Sequence, residues 1–158
     1  MKKLIFCCLV VLMGSCKDDD KTVEPEQDYA PEFAGNYETT TVVPNTVFKQ
    51  SWEATVSEKN KLAIVYIKNT EVTVAGTKVT LTQEYDLVDV KTSSKDIMEI
   101  NETVSVKQSN GLPLQQKVQG IGTKVVNSDG KPQINITVKL TDSSTGSSTE
   151  EYLEFKKK

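Results

Sequence analysis

The chain contains no histidine, and all nineteen of its basic side chains are lysine, so arginine is missing as well. Without imidazole there is neither a Ser-His-Asp triad nor an ordinary histidine zinc site. Without guanidinium there is no planar, bidentate clamp for phosphate or carboxylate. Cysteine is scarce: Cys7 and Cys8 sit in an apolar leader, and Cys16 alone lies beyond it. That count excludes an internal disulfide and thiol catalysis within a downstream domain. No apolar run approaches the roughly twenty residues that a spanning helix needs. For an enzyme, the inventory leaves only a carboxylate pair or a lysine-based site.

What is present begins with Lys2 and Lys3, an apolar segment from Leu4 to Met13, and then Gly14-Ser15-Cys16. A positive start followed by about ten apolar residues has the dimensions of a signal peptide. The two small residues let an extended backbone enter a peptidase cleft, and the cysteine offers a thiol for acylation. This segment resembles the lipobox of bacterial lipoproteins, with Met13 where that motif usually has leucine. The resemblance implies that residues 1–15 are a cleaved signal peptide and that Cys16 becomes the lipid-bearing first residue. It also accounts for an unpaired thiol in an exported chain.

Residues 16–33 read as an acidic, disordered tether. Asp18, Asp19 and Asp20 are followed by Glu24, Pro25, Glu26, Asp28, Pro31 and Glu32, with too little apolar surface to offset ordering entropy. A calcium loop is not expected there, because such loops alternate their ligands around a glycine-type turn. Lys17 and the run Asp18–Asp20 resemble the surface-export signal of Bacteroidota lipoproteins. That resemblance implies an outer-membrane, lipid-anchored protein facing the cell exterior.

Residues 34–158 are enough for one domain with one core. Without the leader the chain keeps seventeen lysines against twenty-two carboxylates, a net charge of −5. Such a surface argues against nucleic acid as a partner. The body of the chain alternates polar and apolar residues, the period of a half-buried strand, with no sustained helical pattern. Phe48, Trp52, Ala54 and Val56 share one face; so do Val79, Leu81, Tyr85 and Leu87, then Met98, Ile100, Val104 and Val106, then Ile134, Ile136, Val138 and Leu140. Leu62 to Ile67 is apolar on both faces, as in a strand covered on both sides or a packing edge. Turn chemistry separates the runs at Pro44-Asn45, 58–61, Ala75-Gly76, 109–111 and 127–130, and Asp142 to Ser148 reads as a mobile polar loop. The count is eight or nine strands: 36–43, 46–57, 61–68, 70–74, 77–90, 97–107, 114–126, 133–142 and 149–156. Gly120 and Gly122, inside one of them, suggest a bulge or tight bend.

These features predict an all-β domain, an antiparallel meander of about eight strands. A closed barrel is favoured because it removes exposed edges, with a two-sheet sandwich as the rival. Phe33-Ala34-Gly35-Asn36-Tyr37 resembles the opening of lipocalin-like and calycin-like domains. There, a Gly-x-Trp on the first strand closes one barrel end and a late basic residue packs over the aromatic ring. The resemblance puts Tyr37 in the tryptophan's place and leaves Lys156, Lys157 or Lys158 for the basic residue. It implies a cup that can hold a small apolar ligand.

Candidate sites are few. Trp52 shares the apolar parity and is expected in the core rather than as a sugar-stacking platform. Glu99 and Glu102 have opposite parity, and Glu150 and Glu151 are adjacent, so neither pair is set for acid/base work and a solvated face is expected for all four. Gln83 and Glu102 interrupt apolar parities, which either fixes a ligand or marks a bulge. The expected protein is a monomeric, non-enzymatic binding or accessory domain without cofactor or metal. Its expected partners are the membrane, through the anchor, and a small apolar molecule, a glycan or a protein. The alternative is a structural or inhibitor-type interaction module with no ligand cavity.

Overall fold

A computed structural model describes residues 27–158; the leader, Cys16, Lys17 and Asp18 to Asp20 lie outside the described residues. A short 3-10 turn, Ala30–Glu32, precedes eight strands: β1 (Gly35–Val43), β2 (Thr46–Glu58), β3 (Lys61–Val74), β4 (Thr77–Thr92), β5 (Ile97–Gln108), β6 (Leu114–Val126), β7 (Pro132–Asp142) and β8 (Ser148–Lys157). Each strand pairs antiparallel with the next, and β8 returns to β1, so the meander closes into a barrel consistent with a lipocalin-like one. Closure decides against the sandwich.

The hairpins form where turn chemistry permits. Pro44 presets one central residue and Asn45 takes φ 61°, joining Val43 to its partner Thr46. Ala75 and Gly76 both take positive φ, 49° and 80°, the backbone of a type I′ hairpin. The stretch read as strands 61–68 and 70–74 is one strand. Polar Lys68-Asn69-Thr70 breaks the hydrophobic pattern, yet its pairing to both β2 and β4 is unbroken. The 142–148 loop is organised around Asp142, whose Oδ1 accepts from the Ser144 and Thr145 N–H groups at 2.7 and 3.0 Å.

Gly120 and Gly122 mark no bulge against β5, whose register with β6 runs without shift. They sit where the wall has no room: a Cβ on Gly120 would lie 2.7 Å from the Thr137 carbonyl oxygen, and one on Gly122 would lie 2.9 Å from Met98 Cγ. Register shifts occur instead at Val56/Glu58, Leu62/Ile64 and between Glu84 and Lys91. Val56 and Val79 share the core parity but are exposed, because one lies at a barrel end and the other on a hairpin that outruns the core.

The tether boundary at residue 33 also needs correction. Ala30 and Phe33 are fully buried and plug one end of the barrel. Asp28 Oδ1 accepts from the Asn60 N–H at 2.8 Å, and Tyr29 N–H donates to Asn60 Oδ1 at 2.7 Å. Lys124 bonds Glu32 at 2.7 Å, and its ammonium lies 5.5 Å from the Phe33 ring centroid. Packed chain therefore begins near residue 28. The acidic composition of this stretch masked two core residues spaced to reach the barrel end.

Candidate functional site

The plugged end carries the features expected from the lipocalin resemblance. Tyr37 is fully buried, and of the three terminal lysines it is Lys157 whose ammonium lies over the ring, 5.7 Å from its centroid. Lys157 Nζ also donates to the Ala34 carbonyl at 2.8 Å. Gly35 takes φ +138°, a conformation that calls for glycine, and a Cβ there would also displace the Lys157 side chain, whose Cε would lie 2.7 Å away.

Above this closure, side chains occupy the axis. Trp52, 2% exposed, stacks on Phe155 of β8 with ring centroids 4.0 Å apart. Tyr66 meets Trp52 edge-on and stacks on Tyr85 at 5.0 Å, so one aromatic group runs from β8 through β2 and β3 to β4. A barrel of this size can be filled by its own side chains.

A polar layer follows toward the open end. Gln50 is buried; its Nε2 donates to Glu151 Oε1 at 3.0 Å, and its Oε1 accepts from the Tyr66 hydroxyl. Lys68 Nζ meets Glu151 Oε2 at 2.9 Å and lies 5.4 Å from the Phe48 ring centroid. The Tyr85 hydroxyl donates to Gln116 Oε1 at 2.8 Å. Glu151 is thus turned inward, unlike the exposed Glu99 and Glu150. The signal that reveals this layer is Gln50 and Lys68 on the apolar parity, each a polar interruption whose partner lies far along the chain.

Three tyrosine hydroxyls share this interior. Burial pushes Tyr37 up to about 12. Burial also raises both Tyr85 and Tyr66, with the neighbouring Tyr85 and Glu151 adding to the rise at Tyr66. An unfolded tyrosine loses its proton near pH 10, so above that pH the unfolded chain binds fewer protons than the folded one. The stability these protonated hydroxyls contribute is full below about pH 10 and is lost as pH climbs toward 12. Urea midpoints measured from neutral pH to about pH 11 are expected to hold steady and then fall. A flat profile would show that these rings are not buried.

Glu102 does mark an irregularity, and its role is structural. Strands β4 and β5 pair only at Gln83–Glu84 with Lys107–Gln108 and at Lys91–Thr92 with Met98–Glu99. Across the gap, the Glu102 carboxylate accepts from the Val88 and Asp89 N–H groups, both at 2.9 Å. Gln83 donates to Gln108 Oε1 at 3.1 Å, one pair before the gap opens beyond Glu84. Glu102→Ala removes the acceptor from two backbone donors and is expected to cost about 1–3 kcal/mol. The check is the urea midpoint, with Glu102→Gln retaining part of the stability because one acceptor oxygen survives.

Concavities lie on the wall and at the rim. One of about 530 Å³ lies between Glu53, Thr55, Ala63, Val65, Asp86 and Val88. Another, of about 430 Å³, lies at the open end beside Val106, Pro113, Leu114, Asp142 and Ser144. The outer face of β3, apolar at Ala63, Val65 and Ile67, is covered by no other element among the described residues. Among those residues no three carboxylate, thiol or imidazole side chains converge on one point as metal ligands would. No protein-family profile, curated protein or solved structure matches the chain. What the fold and site define is a small, closed antiparallel β-barrel with an aromatic core, a plugged base and a polar upper layer.

Proposed function

We propose that this protein is a lipid-anchored, non-enzymatic module of the outer membrane that faces the cell exterior and engages a protein partner through its wall and open rim. The observation that carries this reading is the filled axis. The Trp52–Phe155 stack and the inward contacts of Glu151 and Gln116 occupy the space that an apolar ligand would need. This favours the interaction module over a carrier of a small apolar molecule. The anchor reading rests on Cys16 and on the run Lys17 to Asp20 behind it. Because the chain enters the domain at the plugged end, beside Asn60, an anchor at Cys16 holds that end toward the membrane. The hairpin tips at 43–46 and 74–77 and the loop at 142–148 then point away.

Native mass spectrometry of the purified full chain, delipidated apart from its covalent anchor, tests the interior. The expected mass is that of the acylated chain alone; a co-purified small molecule would overturn the filled-barrel reading. Cys16→Ala is expected to abolish acyl incorporation and release the protein from the membrane fraction, and retention of the acyl group would overturn Cys16 as the anchoring residue.

A further inference from the structure

The barrel closes over a very short seam. Strand β1 pairs with β8 only at Tyr37↔Lys157 and Glu38↔Lys156, with one more bond from Lys158 N–H to the Asn36 carbonyl at 3.0 Å. The same register continued toward the open end would set Thr39 opposite Phe155 and Val43 opposite Glu151, but none of those pairs forms. Over that stretch β1 remains fully paired to β2, and β8 to β7. Both strands are therefore regular, and each presents a free backbone edge to the other.

Nothing among the described residues stoppers this gap. In the β4–β5 gap the Glu102 carboxylate takes up two backbone N–H groups. At the β1–β8 seam no side chain does so, and Glu151 turns inward to Gln50 and Lys68. The β1 edge, Thr39 to Val43, is entirely β-branched and carries no lysine, proline or bulge, the devices that usually blunt an exposed edge. The β8 side is acidic: Glu150 and Glu154 are exposed, and neither takes part in an ion pair among the described residues. Between them Tyr152 is 59% exposed on the same outward face.

We propose that this seam is a strand-docking slot for an extended segment of a partner protein, one that is basic on its outward face and apolar on its inward face. Strand addition supplies hydrogen bonds to edges that lack them, and alternate side chains supply the selectivity. Here the outward residues meet Glu150 and Glu154, and the inward ones meet the threonines of β1. This rests on the reading of the protein as a protein-binding module and names the kind of partner.

The test uses the full chain in detergent and, as probe, a short synthetic peptide alternating lysine and valine. In the free protein, amides of 39–43 that face the seam should exchange quickly, and the peptide should slow them and those of 151–155 by about tenfold or more. Trp52 emission should shift, because its stacking partner Phe155 borders the slot. Reversing both charges, Glu150→Lys with Glu154→Lys, should weaken the peptide about tenfold and favour a glutamate-valine version. A version with a central proline should not bind. Three results would overturn the slot: full protection of 39–43 in the free protein, protection appearing elsewhere, or indifference to the charge reversal. A failed peptide with a ligand-free mass removes the slot alone, whereas a co-purified ligand removes the wider reading.

Discussion

Replacing Trp52 with alanine is expected to lower the unfolding free energy by about 3–5 kcal/mol, the cost of emptying a large buried aromatic site. The indole packs against Phe155, two strands away around the barrel, and meets Tyr66 edge-on, so its removal unseats rings on two other strands. The surrounding wall is closed by pairing on both sides of β2 and has little freedom to collapse into the void. Trp52→Phe separates volume from aromatic contact. Among the described residues the indole Nε1 has no hydrogen-bond partner, so phenylalanine loses no polar interaction and should cost well below the alanine variant. Urea denaturation followed by far-ultraviolet circular dichroism checks both, since neither variant keeps the tryptophan signal. If Trp52→Ala costs no more than a surface substitution, the axis is not filled by these rings.

The second large effect comes from adding a single methyl group. Gly120→Ala is expected to cost about 3 kcal/mol, toward the upper end for overpacking, because the new Cβ meets the Thr137 carbonyl oxygen at 2.7 Å and Ile136 Cδ1 at 2.9 Å. A backbone oxygen in a paired strand cannot step aside. Gly122→Ala meets Met98 Cγ at 2.9 Å and Ile134 Cγ2 at 3.1 Å. Those are side chains, and methionine in particular can rotate away, so a loss nearer 1–2 kcal/mol is expected. The order of the two urea midpoints is the measurement. Equal losses would mean that conformational freedom, and not space, sets the requirement for glycine.

Much of the fold was legible because strand parity is a local property. Two-residue alternation placed Trp52, Ile100, Ile136 and Val138 in the core, and all four are buried there. Asn45, Ala75-Gly76, Gly111 and Gly130 occur where the chain turns, with the positive φ that such turns require. The Gly35-Asn36-Tyr37 resemblance also led to the closure under Lys157, since that contact ties together the two ends of the same barrel. The plug was missed because Ala30 and Phe33 sit among acidic residues and prolines, and composition averages over them. The inward turn of Glu151 leaves no local mark, because adjacent residues on a strand face opposite ways and either Glu150 or Glu151 could take the inner face.

By itself, then, the sequence determined the strands, their turns, the side of each strand that faces inward and the chemistries for which no side chains exist. It also put a segment that resembles a lipobox, ending at Cys16, in front of an acidic run. Only the tertiary structure decided that rings from four strands meet on one axis, that Gln50 reaches Glu151 across 101 residues of chain, and that β1 and β8 part after two pairs. These depend on the register and stagger with which distant strands close the barrel. Local alternation leaves that register free, because a strand shifted by two residues keeps the same face inward while changing every partner.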